Sequence, residues 1–291
     1  MLVTLCLGWG ATWPIMRISL AEIPPFSFRV STALFGAAML SALVVVQRRS
    51  FRIPNPTAWF HVAVASTLNV VGFTLFVAFA QLQAMTSRVA IIAYTMPIWT
   101  ILLARPVLGE RLNAARTTGL VLCICGMSVL IYPLAGAGVP GGIILALGAA
   151  ISWAAGTVYV KWAHIQGDPI AITAWQLIIA FFVIAVCLPA VDGTLQVWPV
   201  SWKAIFGMAF TGLIGTGFSY YLWFESVRRL PAMTASLGVL SVPAIGVACS
   251  ALILGERPTL PDLAGFALIF AASACVLLRP QGPVRARPDT T

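Results

Sequence analysis

The sequence predicts an all-α membrane protein of ten transmembrane helices, arranged as two inverted repeats of five helices. The composition, an internal repeat and the placement of the basic residues predict this fold. Of the 291 residues, 60% are hydrophobic and 9% are charged, with a mean hydropathy of +0.98, whereas a soluble domain carries roughly 25% charged residues. The few charges separate uncharged stretches close to the ~20 apolar residues that cross a bilayer core.

Two blocks of sequence carry the same landmarks half a chain apart. In each block a proline inside an apolar run is followed twelve residues later by Gly-Glu-Arg, and another glycine lies ten residues beyond that Gly. The landmarks are Pro97, Gly109, Glu110, Arg111 and Gly119 in the first block and Pro243, Gly255, Glu256, Arg257 and Gly265 in the second. Because every landmark is offset by 146 residues, the pattern indicates an internal duplication.

Hydropathy divides each half of the chain into five apolar spans. The first repeat (1–133) has spans near 2–18, 26–46, 58–80, 87–108 and 116–133. The second repeat (143–278) has spans near 143–161, 170–191, 203–224, 232–254 and 261–278. A Gly/Pro-rich linker at 134–142 joins the repeats, and the polar tail at 279–291 is predicted to be disordered.

The basic residues predict the orientation. If the N-terminus is cytoplasmic, twelve of the 17 Lys and Arg residues lie in inside segments and five lie outside. The positive-inside rule therefore places both termini in the cytoplasm, and it explains the net charge of +9 without nucleic-acid binding. Since each half has an odd number of spans, the second half must be inverted relative to the first. Inverted repeats are typical of alternating-access transporters.

Several motifs resemble the EamA family of the drug/metabolite transporter superfamily. They are the two Pro…Gly-Glu-Arg…Gly blocks, LGWGATWPIMRIS with its degenerate partner AISWAAGTVYVKW, and PPFSFRV with its partner ITAWQLI. The resemblance covers essentially the whole chain. It implies a ten-helix secondary transporter in the cell inner membrane, commonly an exporter of small organic metabolites. Its cavity would be lined by the first, third, fourth, sixth, eighth and ninth helices. The expected partners are a small-molecule substrate and the lipid bilayer, with a homodimer left open.

Polar residues within the spans are the first candidates for substrate binding. Asn69 is an amide well inside the third span. Arg29 lies about one turn inside the second span, and Gln176 takes the equivalent place in the seventh. Arg29 either extends to the outer interface or faces the cavity. In the cavity, it would attract an anionic group such as a carboxylate.

Aromatic residues near mid-membrane are the second group of candidates. Tyr94, Trp153 and Tyr220 lie in spans that the resemblance assigns to the cavity, and Trp13 follows Trp9 by one turn on the first helix. Helix packing and interfacial anchoring are the alternative roles for each of them. Together, these side chains would suit amphipathic or aromatic substrates.

The repeated blocks suggest structural roles. We expect Pro97 and Pro243 to kink their helices, either for packing or as hinges that line the cavity. We expect Gly109 and Gly255 to end those helices. The following pairs, Glu110 with Arg111 and Glu256 with Arg257, would then anchor the helix ends or form a gating salt bridge.

Other functions lack their signatures in this sequence. An intramembrane enzyme would need a zinc motif, paired aspartates or an Asp-rich motif, but of the two histidines, His61 lies at a helix entrance and His164 lies in a loop. We therefore predict no enzyme activity, metal site or cofactor. A metabolite importer, or an intramembrane enzyme without a recognisable motif, is the alternative to an exporter. Near the eighth span, Glu225 precedes Arg228 and Arg229 at a spacing that predicts local ion pairs.

Overall fold

The computed structural model of the protein describes residues 1–83, 89, 92–110, 112–132, 141–254 and 260–277, and all the regular secondary structure among them is helical. The first helices are α1 (Leu2–Leu20), α2 (Pro25–Val46), α3 (Pro56–Ser66, continued by Thr67–Gly72 and Phe73–Gln83), α4 (Met96–Leu108) and α5 (Ala114–Ile131). They are followed by α6 (Gly141–Ala163), α7 (Pro169–Val191), α8 (Trp202–Phe210, continued by Thr211–Phe218 and Ser219–Arg229), α9 (Ala232–Gly238), α10 (Ser241–Leu254) and α11 (Leu260–Leu277).

Five helical stretches within the described residues are long and apolar enough to cross a membrane. They are Pro25–Val46, Pro56–Ala80, Gly141–Ala163, Pro169–Val191 and Trp202–Arg229. The predicted all-α fold is confirmed for this part of the chain, and the count of ten transmembrane helices stays a prediction.

Local sequence explains where several helices begin and end. Asn55, Asn113, Asp168 and Ser201 each accept a hydrogen bond from a backbone N–H in the first turn of the helix that follows, as N-cap residues do. At the end of α4, Gly109 has a φ of 66°, the left-handed conformation of a glycine C-cap.

Helix boundaries recur along the chain. Helix α11 begins and ends 146 residues after α5. Helices α3 and α8 are each interrupted by a π-helical stretch, and these stretches end at Gly72 and Phe218, again 146 residues apart. Helices α2 and α7 both begin at a proline and have 22 and 23 residues. These matching boundaries agree with an internal duplication.

Helices α2 and α7 pack against each other in antiparallel orientation. At one end, Asp192 Oδ2 accepts hydrogen bonds from Ser27 N at 2.6 Å and Ser27 Oγ at 2.9 Å. At the other end, Arg49 Nη1 pairs with Asp168 Oδ2 at 2.9 Å. We call the end of the helix bundle with Arg49 and Asp168 the Arg49 face, and the end with Ser27 and Asp192 the Asp192 face.

The other contacts between the halves are reciprocal. Helix α1 packs against α8 and α10, and helix α6 packs against α3 and α4. A side chain from each first helix reaches a carbonyl in the π-helical stretch of the other half. Trp9 Nε1 donates to Gly215 O at 2.9 Å, and Ser152 Oγ donates to Leu68 O at 2.7 Å. These bonds stabilise the wider turns, whose backbone hydrogen bonding departs from the regular α-helical pattern.

We expected the two repeated prolines to kink continuous helices. In the structure, each proline instead lies in the first turn of a helix. A turn at Tyr94 and Thr95 precedes α4, and a turn at Val239 and Leu240 precedes α10. Pro97 is the second residue of α4, and Pro243 is the third residue of α10. A proline in a first turn lacks only an N–H that has no intrahelical acceptor, so each helix is interrupted and restarts just before its proline.

Candidate functional site

A cavity of about 120 Å³ lies between the two halves of the described structure. Helices α1, α2 and α3 and the start of α4 contribute to its wall from the first half, and α6, α7, α8 and α10 contribute from the second. The lining residues of α2 are Arg29, Thr32 and Ala33. They follow closely after Ser27, which contacts Asp192, so the cavity lies nearer the Asp192 face.

The structure brings five of the seven predicted substrate-binding residues together at this cavity. They are Trp13, Arg29, Tyr94, Trp153 and Tyr220. Asn69 and Gln176 are fully buried and are not among the lining residues. Asn69 packs against Gly156 of α6, where a Cβ would come within 2.6 Å of Asn69 Cγ. Neither amide has a hydrogen-bond partner among the described residues.

Aromatic rings form one wall of the cavity. The centroids of Trp9 and Trp153 lie 5.5 Å apart at an interplanar angle of 70°. The Tyr220 ring is 6.0 Å from Trp9 and 5.7 Å from Trp153, also edge to face. Trp223 packs against Trp9 and Trp153 at 5.8 and 5.4 Å. This mutual packing holds the exposed ring faces in fixed positions.

Hydroxyl groups accompany the rings. Trp13 Nε1 donates to the Tyr94 hydroxyl oxygen at 2.8 Å, and Tyr220 and Thr74 also line the cavity. Thr211 also lines the cavity, and its buried Oγ1 has no hydrogen-bond partner among the described residues. The site is therefore amphipathic, with flat apolar surfaces and several groups that can donate hydrogen bonds.

Arg29 gives the site its charge. It is partly buried and lines the cavity, and its Cζ lies 5.9 Å from the centroid of the Phe28 ring. Within the described part of the chain, no carboxylate forms an ion pair with Arg29, and no other charged residue lines the cavity. The sequence left open whether Arg29 extends to the outer interface or faces the cavity, and its position among the lining residues supports the second alternative.

Several lining residues were not among the predicted site residues. Trp9 could have been included, because it lies one turn from Trp13 on the same helix. The lining threonines carry no comparable signal in the sequence, since threonine in a membrane helix equally serves packing. They are Thr12, Thr32, Thr74, Thr211 and Thr216.

The first Gly-Glu-Arg block joins the two halves at the Arg49 face. Glu110 Oε1 accepts a hydrogen bond from Ala232 N at 2.6 Å, and Glu110 Oε2 accepts one from Met233 N at 3.2 Å. The carboxylate thus holds the N-terminus of α9 through backbone contacts, where the sequence suggested an anchor or a salt bridge. Arg111 and the second block, Gly255, Glu256 and Arg257, lie outside the described residues.

Further contacts connect helix ends at the same face. Lys161 Nζ donates to Arg228 O at 3.1 Å and to Leu230 O at 2.9 Å. Glu225 pairs with Arg228 at 2.9 Å and with Arg229, which confirms the local ion pairs predicted from their spacing. Several polar contacts therefore connect the helix ends at the Arg49 face.

Comparison with known proteins identifies the family. Residues 1–132 and 140–278 match the model of the EamA-like transporter family. The chain belongs to the EamA-like transporter family. The resemblance seen in the sequence is thereby confirmed, and this EamA protein is a multi-pass membrane transporter.

Two relatives of this EamA protein match it over nearly their full length. The uncharacterized transporter YoaV of Bacillus subtilis (strain 168) is 26% identical over 280 residues, covering 92% of each chain. The probable amino-acid metabolite efflux pump of Escherichia coli (strain K12) is 26% identical over 283 residues, covering 90% of this chain and 88% of that protein. A solved crystal structure shares the fold, with a TM-score of 0.78 and 20% identity over 95% of this chain and 96% of its own.

Proposed function

We propose that the protein is a secondary transporter that exports small organic metabolites by alternating access. The observation that carries this proposal is the cavity between the halves, which helices from both halves line. A site in that position changes its accessibility when the two halves rock against each other. The Trp13, Arg29, Tyr94, Trp153 and Tyr220 side chains would contact the substrate.

In this proposal the ten transmembrane helices form two inverted repeats. The antiparallel contact of α2 with α7 supports the inversion, because these helices occupy equivalent places in the two halves. The reciprocal packing of α1 and α6 on the third and fourth helices of the opposite half supports a pseudo-two-fold relation. Such a relation allows each half to adopt the arrangement of the other.

The Arg49 face would lie in the cytoplasm of a bacterial cell, with both termini, and the Asp192 face would lie outside the inner membrane. The described basic residues support this orientation. Those at the Arg49 face are Arg48, Arg49, Arg52, Arg105, Arg116, Lys161, Arg228 and Arg229, and those toward the Asp192 face are Arg17, Arg29 and Lys203. The polar contacts at the Arg49 face would then close the cytoplasmic side, leaving the cavity nearer the outside.

Export agrees with the name of one relative, the probable amino-acid metabolite efflux pump of Escherichia coli. A conformation in which the cavity lies nearer the outside would be the one from which an exporter releases its substrate. We therefore propose export as the direction and small organic metabolites as the substrates.

A matched pair of tryptophan variants tests this function. Ala33 lines the cavity and is 4% exposed, whereas its neighbour Leu34 is 48% exposed on the outer surface of α2. Ala33→Trp would fill the cavity, and Leu34→Trp would add the same ring outside it. We would compare metabolites in the medium of bacteria that express each variant at equal membrane levels.

The unchanged protein and Leu34→Trp are expected to enrich the same metabolite in the medium, and Ala33→Trp is expected to lose that enrichment. The metabolite would then be tested in proteoliposomes to establish its direction of movement. Equal export by Ala33→Trp and Leu34→Trp would refute transport through this cavity.

A further inference from the structure

We propose that the substrate is a small organic anion that joins a carboxylate or a similar acidic group to a flat apolar group. This inference rests on the proposed transport function and names the chemical class that the cavity selects. It follows from the charge, the hydrogen-bond donors and the rings that the described residues bring together.

Arg29 provides the attraction for the acidic group. An ionised side chain within a transmembrane segment is normally paired, because the surrounding hydrocarbon stabilises charge poorly. Here no described carboxylate pairs with Arg29, and no described Asp or Glu lines the cavity. A bound anion would supply the missing partner, and its planar carboxylate matches the fork of a guanidinium. The same charge would repel a cationic amine.

The Tyr94 hydroxyl adds a donor. Its oxygen already accepts the Trp13 indole N–H at 2.8 Å, so its proton points elsewhere and has no acceptor among the described residues. The N-terminal ends of α4 and α10 also reach the cavity through Met96 and Val242. Interrupted membrane helices direct their positive dipole ends toward anionic groups in this way.

The apolar end of the substrate would contact the aromatic wall. Trp9, Trp153 and Tyr220 hold one another edge to face at centroid distances of 5.5 to 6.0 Å. Tyr220 and Arg29 line the same cavity, so one small molecule would contact both the rings and the guanidinium. A cavity of about 120 Å³ has room for roughly ten water-sized groups, which fits a single ring with a short acidic chain.

A series of three phenyl compounds tests the class directly. 3-Phenylpropionate, 3-phenylpropan-1-ol and 3-phenylpropylamine share one ring and one chain length but are anionic, neutral and cationic at neutral pH. Binding to the full-length protein in lipid nanodiscs would be followed by the fluorescence of the cavity tryptophans, with empty nanodiscs as the baseline. The variants are Arg29→Gln, Arg29→Lys and Ala33→Trp. Arg52→Gln is the matched control, because Arg52 is exposed outside the cavity.

We expect 3-phenylpropionate to bind at least about tenfold more tightly than the alcohol, and the amine to bind least. Arg29→Gln should weaken 3-phenylpropionate by about tenfold to a hundredfold, the range for losing a hydrogen bond to a charged group. The alcohol should bind Arg29→Gln unchanged, which shows that the variant is folded. Arg29→Lys should retain part of the preference, Arg52→Gln all of it, and Ala33→Trp should bind none of the compounds.

Equal affinity for the three compounds, or an unchanged affinity of Arg29→Gln for 3-phenylpropionate, would overturn the anionic class. Absence of binding by all three would overturn it too. In either case the export comparison of Ala33→Trp with Leu34→Trp decides the transport function separately, so the two proposals fail by different measurements.

Discussion

Glu110 is expected to keep the Arg49 face closed. Its carboxylate, in the first half, accepts hydrogen bonds from Ala232 N and Met233 N at 2.6 and 3.2 Å. These N–H groups begin α9, in the second half, and have no intrahelical acceptors. Glu110→Ala removes both bonds while leaving the Gly109 cap in place. The variant should therefore shift the protein toward states that are open at this face.

The size of the shift follows from the contacts. A hydrogen bond to a charged group contributes about 1.5–3 kcal/mol, and replacing an N-cap side chain by alanine costs about 0.5–2 kcal/mol. Glu110 is half-buried, so water will replace part of what is lost. We expect the free-energy difference between the closed and open states to fall by about 1–2 kcal/mol, which corresponds to a five- to thirtyfold increase in the open population.

A buried reporter measures that population. Ser236, on α9, is 1% exposed, and its hydroxyl donates to Thr100 Oγ1 at 3.2 Å beneath the Arg49 face. In inside-out membrane vesicles that carry the protein without its six native cysteines, Ser236→Cys would be alkylated by a maleimide that cannot cross membranes. Glu110→Ala should raise the alkylation rate by about the same five- to thirtyfold factor, and Glu110→Gln, which keeps a neutral acceptor, should raise it less.

The matched control is Glu22→Ala. Glu22 accepts hydrogen bonds from Ser201 N and Ser201 Oγ, both at 2.6 Å, at the Asp192 face. Its removal should leave the reporter at the Arg49 face unaffected. An unchanged alkylation rate in Glu110→Ala, or an equal acceleration in Glu22→Ala, would refute a closing role for Glu110.

Three further predictions concern stability, measured by thermal unfolding of the purified protein. Trp9→Phe removes the indole N–H that donates to Gly215 O in the π-helical stretch of α8, and it should lower the free energy of unfolding by about 1–2 kcal/mol. An unchanged unfolding temperature would contradict this. Gly156→Ala places a Cβ 2.6 Å from Asn69 Cγ and should cost about 1–3 kcal/mol, and adding Asn69→Ala should recover stability; no recovery would mean that another contact is responsible. The side-chain and backbone hydrogen bonds from Ser201 lower the pKa of the Glu22 carboxyl. These hydrogen bonds therefore contribute to the free energy of unfolding at neutral pH, and the contribution is lost as the pH falls through the lowered pKa. Glu22→Gln should accordingly lose less stability on acidification than the unchanged protein.

Properties that depend on local sequence were predicted well. The expected spans at 58–80 and 170–191 correspond to the helical stretches Pro56–Ala80 and Pro169–Val191. Helix formation and membrane crossing follow from the length and apolarity of each segment, because a backbone in hydrocarbon must satisfy its hydrogen bonds within the helix. The sequence landmarks also indicated an internal duplication, and their offset of 146 residues recurs in the boundaries of α5 and α11.

The direction in which each side chain points was decided by tertiary structure alone. Arg29 faces the cavity, whereas Asn69 and Gln176 are buried outside it, although all three are polar residues inside apolar spans. In a membrane helix the lipid-facing and protein-facing sides are both apolar, so hydropathy does not show which side meets the cavity. The helix interruptions before Pro97 and Pro243 arise in the same way, since a proline is compatible with either a kink or a first turn, and the packing of the two halves selects between them.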